Sequence, residues 1–158
     1  MRNTLKAATL ESKFPLLAVE AGGGLVHRTG LSESILIFDQ HRVFSTDFAE
    51  RLQTLRRLDP ERKVAVEVGN VEEGVRAAEL GADILQCDKM TPQDVAVLVT
   101  AAKRAHPVLV ISAAGGVNAA NAADYARAGA DFLVTSWPYF GRPHDVKMRM
   151  SASCDALP

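Results

Sequence analysis

Short apolar segments rich in β-branched residues alternate with helix-length segments along most of the chain, and this alternation limits the fold most strongly. The strand-type segments are residues 34–38, 63–68, 83–87, 107–112 and 131–136. The helix-type segments between them are residues 45–58, 70–80, 91–105 and 118–128. Repeated strand–helix units of this length predict a parallel sheet with helices packed outside it.

The residues at the ends of these segments support the same assignment. Asn70 and Thr91 are predicted N-caps, and Pro92 occupies the first turn of its helix. Gly81 and Gly129 follow their helices, as glycine does where the chain leaves a helix in the left-handed conformation.

Before residue 34 the alternation of strand-type and helix-type segments is weaker. Residues 1–8 carry no strand pattern long enough to open the sheet, and Pro15 is expected to end or kink any helix within residues 9–21.

One αβ unit occurs twice, as "GNVEEGVRAAELGADIL" and "GVNAANAADYARAGADFL". A repeating βα unit favours a barrel over a doubly wound sheet, although both remain open. About five full strands are visible, too few for a closed eight-stranded barrel. We therefore expect an α/β fold with an incomplete TIM-like barrel over residues 1–150 and a frayed tail over residues 151–158.

Charge and composition exclude several classes of partner. A formal net charge of −1 predicts no general attraction to nucleic acid or to an anionic membrane. The two cysteines are far apart and have no metal-type spacing, which favours a reduced, cytoplasmic protein. Neither a signal peptide nor an apolar run of the roughly 20 residues that a membrane span requires is visible.

Two carboxylates interrupt the apolar pattern near strand ends, where parallel α/β proteins bind their ligands. Glu67 lies in an otherwise apolar strand, and Asp88 follows the next strand. Two carboxylates on neighbouring strand ends could hold Mg²⁺ beside phosphate groups. The alternative is a structural ion pair between Glu67 and a nearby lysine or arginine.

Glycine-rich turns and strand ends supply the remaining candidates. Gly115 and Gly116 lie between a strand and a predicted helix, which suits the binding of a phosphate by backbone N–H groups. Residues 22–24 are three further glycines, which alone are explained equally well as a helix C-cap or as part of an anion site. The nearby Arg28, with His27, favours the anion site, because arginine binds carboxylate or phosphate with two parallel hydrogen bonds. Ser136 follows the last strand.

These motifs together resemble the quinolinate phosphoribosyltransferase family over roughly residues 3–150. The matching stretches are "AGGGLVHRTGLSESILIFDQH", "VAVEVGNVEEGVRAAELGADILQCDKM" and "AAGGVN", with "NTLKA" at the start of the chain. Within the family the chain is more similar to the branch called ModD, found with molybdate-transport genes. The apolar Phe38, which replaces a lysine, and the ending "TSWPYFGRPHDVK" carry that similarity.

The resemblance implies a phosphoribosyltransferase that joins a pyridine-like or related acidic acceptor to the ribose of phosphoribosyl pyrophosphate and releases pyrophosphate. It implies that Glu67 and Asp88 bind Mg²⁺ and the ribose, and that Lys6 is catalytic. Substrate-binding roles are implied for His27, Arg28, Gly115, Gly116 and Ser136. The resemblance also implies a homodimer or larger homo-oligomer.

The chain departs from the family in ways that bear on its activity. Leu5 and Phe38 replace two cationic residues that would bind the carboxylates of quinolinate. The match begins at the barrel domain, so we expect a chain without the family's N-terminal domain, and an inactive truncated chain is one expectation. A second is a non-catalytic phosphate- or nucleotide-binding barrel associated with molybdate transport. A third, a sugar-phosphate isomerase or aldolase-like barrel, needs a lysine or general base on a strand, and Lys89 is poorly placed for that.

Overall fold

The computed structural model describes residues 3–4, 13–27, 34–44, 47–140, 145 and 147–150. Its strands are β1 (Asn3–Thr4), β2 (Ile35–Ile37), β3 (Val64–Val68), β4 (Ile84–Asp88), β5 (Val110–Ala114) and β6 (Phe132–Val134). Its helices are α1 (Lys13–Ala21), α2 (Asp39–Val43), α3 (Phe48–Leu58), α4 (Val71–Glu79), α5 (Pro92–Ala105) and α6 (Ala122–Arg127). A short 3₁₀ helix, Trp137–Phe140, follows β6.

The six strands form one parallel sheet in the order β1-β6-β5-β4-β3-β2. Strands that are consecutive in the chain are neighbours from β2 to β6, and the first strand lies beside the last. This cyclic order is that of a barrel, and within the described residues the sheet is open between β1 and β2. The expected incomplete TIM-like barrel is therefore confirmed.

The two faces of the sheet differ in chemistry. The outer face packs against α4 and α5 through buried apolar side chains, among them Val66, Val68, Leu85, Cys87, Ile111, Ala113 and Leu133. On the inner face, Glu67 lies opposite Gln86, which lies opposite Ser112 in the next strand. Because side chains of a strand alternate between faces, this polar row points into the barrel while the apolar core lies outside it.

Each copy of the repeated Gly-Ala-Asp sequence has two roles. Its glycine ends a helix, and its aspartate links the strand that follows to the strand before that helix. Gly81 and Gly129 have φ of +93° and +92°, and each ends its helix in a Schellman motif. The following carboxylates accept backbone N–H groups of the preceding strand: Asp83 Oδ2 from Val64 and Asp131 Oδ2 from Ile111, both at 2.8 Å. These contacts hold the amino ends of β3 and β5 in place, opposite the predicted ligand-binding edge.

Replacing Asp131 with alanine is expected to lower the free energy of unfolding by about 1–3 kcal/mol. The substitution leaves the N–H of buried Ile111 without its carboxylate acceptor and removes the ion pair with Lys103, whose Nζ lies 2.7 Å from Asp131 Oδ1. Urea denaturation measures the effect. Asp124→Ala is the control, since its exposed pair with Arg127 is worth about 1 kcal/mol or less. Equal losses in the two variants would contradict the capping role.

Three expectations about local structure are wrong. Residues 3 and 4 do form a strand, paired with Leu133 and Val134, but two residues are too few to display an alternating pattern. Pro15 does not end a helix, because α1 (Lys13–Ala21) contains it and continues for six residues beyond it. Helix α6 begins at Ala122 rather than at residue 118.

Among the described residues, no helix is both long enough and apolar enough to cross a membrane. The predicted tail, residues 151–158, lies outside the described part of the chain.

Candidate functional site

A cleft of about 460 Å³ opens at the carboxyl ends of the central strands. The described residues that line it are His27, Phe38, Glu67, Gln86, Asp88, Ala114–Asn118, Val134–Trp137 and Phe140. Strands β3 to β6, and the segments before and after them, thus converge on one cavity. This is the edge at which parallel α/β proteins bind ligands.

A row of polar side chains crosses the inner wall of the cleft. The Gln86 amide donates to Glu67 Oε2 at 3.4 Å, and its Oε1 lies 3.2 Å from His27 Nε2. Since the amide oxygen can only accept, His27 donates from Nε2 in this contact. Gln86 is only 7% exposed, so its side chain has a fixed position between Glu67 and His27, and it contacts both.

The second carboxylate touches the glycine turn. Asp88 ends β4, and its side chain is 31% exposed, with Oδ2 3.3 Å from Lys89 Nζ. A Cβ added to Gly115 would lie 2.4 Å from Asp88 Oδ1 and 2.7 Å from the Lys89 backbone nitrogen. Gly115 also has a φ of +75°. Only glycine therefore lets the turn after β5 approach Asp88 this closely.

The turn after the glycines is held by two asparagines rather than by the start of a helix. Gly116 has a φ of +93°, and a Cβ added to it would meet nothing within 4 Å. Its carbonyl accepts from the Asn118 and Asn121 amides at 3.1 Å each. Because α6 begins only at Ala122, the predicted contribution of a helix N-terminus at the glycines is wrong. The glycine N–H groups themselves remain candidates for the phosphate site.

Aromatic side chains form the outer part of the cleft. We use the term aromatic wall for Phe38, Trp137 and Phe140. Trp137 is 54% exposed and Phe140 is 76% exposed. Sequence reasoning noted Phe38 as a substitution but did not assign a role to the other two residues.

Most of the predicted site residues meet in this cleft. Glu67, Asp88, His27, Gly115, Gly116 and Ser136 all line it. Lys6 and Arg28 lie outside the described residues, so their predicted roles stay predictions. Within the described part of the chain, no three His, Cys, Asp or Glu side chains are grouped closely enough to hold a metal ion by themselves.

Gln86 was missed because a single glutamine in an apolar strand carries no motif. A usable signal was present in the sequence, since the polar Gln86 alternates with the apolar Leu85 and Cys87. The thiol of Cys87 lies on the other face of the sheet, where burial raises its pKa to about 12. It therefore stays protonated near neutral pH, as expected for a core residue rather than a nucleophile.

The glycine run before His27 forms a helix C-cap. Gly23 and Gly24 donate to the carbonyls of Glu20 and Val19, and Gly23 has a φ of +76°. This Schellman motif confirms the C-cap alternative for the backbone. His27 follows it and enters the cleft.

Comparison with known proteins places this geometry in context. A family model described as quinolinate phosphoribosyl transferase, C-terminal domain, matches residues 3–149. The protein called pyrophosphorylase ModD in Rhodobacter capsulatus is 46% identical over 134 residues, covering 82% of this chain and 50% of the relative. Its namesake in Escherichia coli O157:H7 is 35% identical over 136 residues, covering 84% and 48%.

A solved structure shows the same fold. The nicotinate-nucleotide pyrophosphorylase of Francisella tularensis superposes with a TM-score of 0.73 at 25% identity, covering 86% of this chain and 49% of that protein. The chain spans about half the length of the curated relatives it matches.

Proposed function

The chain belongs to the quinolinate phosphoribosyltransferase family through its C-terminal-domain match, and we propose that its cleft binds phosphoribosyl pyrophosphate and transfers the phosphoribosyl group to a nitrogen heterocycle. In this reaction a ring nitrogen of the acceptor forms a bond to C1′ of the ribose. The C1′–oxygen bond to pyrophosphate breaks, and its electron pair leaves with the pyrophosphate.

One observation carries the proposal: two carboxylates and a side-chain-free glycine turn share a single cleft. The backbone N–H groups of Gly115 and Gly116 are proposed to bind the 5′-phosphate, since successive amide groups in such turns form anion sites. Glu67 and Asp88 face the same cavity. Their negative charge is proposed to stabilise the cationic character that develops at the ribose as pyrophosphate leaves.

The residues present fit a bound Mg²⁺ that is shared with the substrate. Mg²⁺ is commonly held by one or two carboxylates together with substrate phosphates and water. Glu67 and Asp88 supply the carboxylates, and among the described side chains no larger metal-binding cluster competes with them. When bound, the ion would neutralise charge on the departing pyrophosphate.

The polar row gives His27 a defined orientation within this proposal. The Gln86 amide donates a hydrogen bond to Glu67 and accepts one from His27 Nε2, so Gln86 links the imidazole to the carboxylate proposed to bind the metal. We propose that His27 contacts a substrate oxygen from this position. Lys6 and Arg28 stay predicted contributors, as do a homo-oligomeric state and a cytoplasmic location.

Calorimetric titration of the full chain with phosphoribosyl pyrophosphate tests the proposal. Binding in Mg²⁺ is expected to weaken at least about tenfold, which is ~1.4 kcal/mol, when EDTA replaces the metal. Ribose 5-phosphate is the control ligand, because it keeps the 5′-phosphate but lacks the pyrophosphate and should respond little to EDTA. A protein that is folded by circular dichroism and releases no binding heat in Mg²⁺ would overturn the proposal.

A further inference from the structure

We propose that Lys89 binds the phosphate group received by the glycine turn of Gly115 and Gly116, so that the turn and one ammonium group together form a site for a phosphate monoester. This inference rests on the proposed function and names a further residue that contacts its 5′-phosphate. Three observations carry it: the backbone conformation of Lys89, the contact of its side chain with Gly115, and its ion pair with Asp88.

The backbone of Lys89 has a conformation that lysine rarely adopts. Its φ is +57°, and within the described part of the chain it is the one residue other than glycine with a positive φ. The Lys89 N–H donates to the Ala114 carbonyl at 3.0 Å, directly before the glycine turn. Strained backbone of this kind persists where the surrounding structure imposes it, and it is concentrated at functional sites. Lys89 is therefore fixed beside the proposed phosphate site.

The side chain of Lys89 runs along the glycine turn. A Cβ added to Gly115 would lie 2.7 Å from Lys89 Cγ and 2.4 Å from Asp88 Oδ1. The missing side chain at Gly115 therefore makes room for the stem of the lysine as well as for the carboxylate. The stem thus packs against the turn whose N–H groups are proposed to bind phosphate.

The ammonium group of Lys89 lies at the rim of the cleft. Its Nζ is 3.3 Å from Asp88 Oδ2, and the lysine side chain is 80% exposed. An exposed ion pair contributes little free energy, so the ammonium group can leave Asp88 for a more highly charged anion at little cost. A phosphate monoester carries a charge of about −1.5 to −2 at pH 7, and lysine is a common phosphate ligand. Asp88 then stays available to the proposed Mg²⁺.

Calorimetric titration of the full chain with ribose 5-phosphate in EDTA tests this role, because the ligand presents the phosphate without the pyrophosphate or the metal. Lys89→Met removes the charge and keeps the length of the side chain. It is expected to weaken binding about tenfold, an effect within the range of one charge-assisted hydrogen bond. Lys89→Arg keeps the charge and should bind within about threefold of the wild type. Lys63→Met is the matched control, since this exposed lysine precedes β3 at the opposite edge of the sheet and should leave binding unchanged.

Two further variants separate a phosphate contact from a structural role. Lys89→Gly removes the side chain and relieves the left-handed backbone, so it is expected to lose about the same affinity without lowering the melting temperature. If Lys89 acted only through its ion pair with Asp88, Lys89→Met would have no effect in the Asp88→Asn background. A direct phosphate contact predicts about the same tenfold loss in that background.

The outcomes separate this inference from the proposed function. The inference is overturned if the folded wild type binds no ribose 5-phosphate, or if Lys89→Met binds it as the wild type does. It is also overturned if the loss disappears in the Asp88→Asn background, or if Lys63→Met loses as much affinity as Lys89→Met. If ribose 5-phosphate binding depends on Lys89 but phosphoribosyl pyrophosphate does not bind in Mg²⁺, the proposed function is overturned and the phosphate site stands.

Discussion

Replacing Gly115 with alanine is expected to weaken binding of phosphoribosyl pyrophosphate at least about 100-fold, or ~2.7 kcal/mol. The added methyl group would lie 2.4 Å from Asp88 Oδ1 and 2.7 Å from the Lys89 backbone nitrogen, well inside contact distance. Either the turn must move away from β4 or Asp88 must leave its position. Both changes separate the predicted phosphate-binding turn from the predicted metal-binding carboxylate. Calorimetric titration in Mg²⁺ measures the loss.

Two control variants isolate the collision from backbone strain. Gly116 has a similar left-handed conformation, but a Cβ there meets nothing within 4 Å, so Gly116→Ala is expected to lose less affinity than Gly115→Ala. Gly81→Ala carries comparable strain, of about 1–2 kcal/mol, at the opposite end of β4 from Asp88 and should leave binding unchanged. Equal affinities for Gly115→Ala and the wild type would contradict the close-approach argument.

Periodicity predicted the central strands because burial dictates their composition. Strands β3 and β4 fall within one residue of their expected bounds, since each places an apolar face against α4 and α5. The caps at Asn70 and Thr91 form as predicted, with each side chain accepting the N–H three residues later. These features are local, so the sequence contains all the information they require.

The errors arise where distant residues decide the structure. Strand β1 exists only because Asn3 and Thr4 pair with β6, which lies more than 120 positions later in the chain. Helix α6 starts late because the Asn118 and Asn121 amides bind the Gly116 carbonyl and hold a turn before it. Neither contact leaves a periodic signal.

The candidate site was predicted only in part, again because contacts between distant residues decide some of its geometry. Glu67 and Asp88 stand out as charges near the ends of apolar strands, so the rule that ligands bind at those ends identified them. The contact between Asp88 and Gly115, and the bridge that Gln86 makes between Glu67 and His27, depend on the register of β3, β4 and β5. A sequence pattern indicates which residues share a sheet edge, but it does not contain that register.

Asp88→Asn and Glu67→Gln are each expected to reduce the affinity for phosphoribosyl pyrophosphate in Mg²⁺ to the value that the wild type has in EDTA. Each substitution removes one of the two carboxylates while keeping the size of the side chain. The expectation follows if both carboxylates are ligands of one ion, since each substitution then removes one of its two protein ligands. The measurement is the response of the affinity to EDTA. For each variant, titrations with and without EDTA are expected to give the same affinity for phosphoribosyl pyrophosphate. Asp124→Asn, an exposed carboxylate on α6, is the charge-matched control and should keep the wild-type response.

The double variant decides whether the two carboxylates act on one ion. If Glu67 and Asp88 bind the same Mg²⁺, the first substitution already abolishes the metal-dependent part of binding, and the second removes nothing further. The double variant is therefore expected to match either single variant within about twofold, well short of additivity. Losses that add would mean that the carboxylates act independently, for example with Glu67 ordering His27 through Gln86 while Asp88 alone faces the phosphates. That result would contradict the shared magnesium site but would leave the glycine turn to be judged by the Gly115→Ala titration.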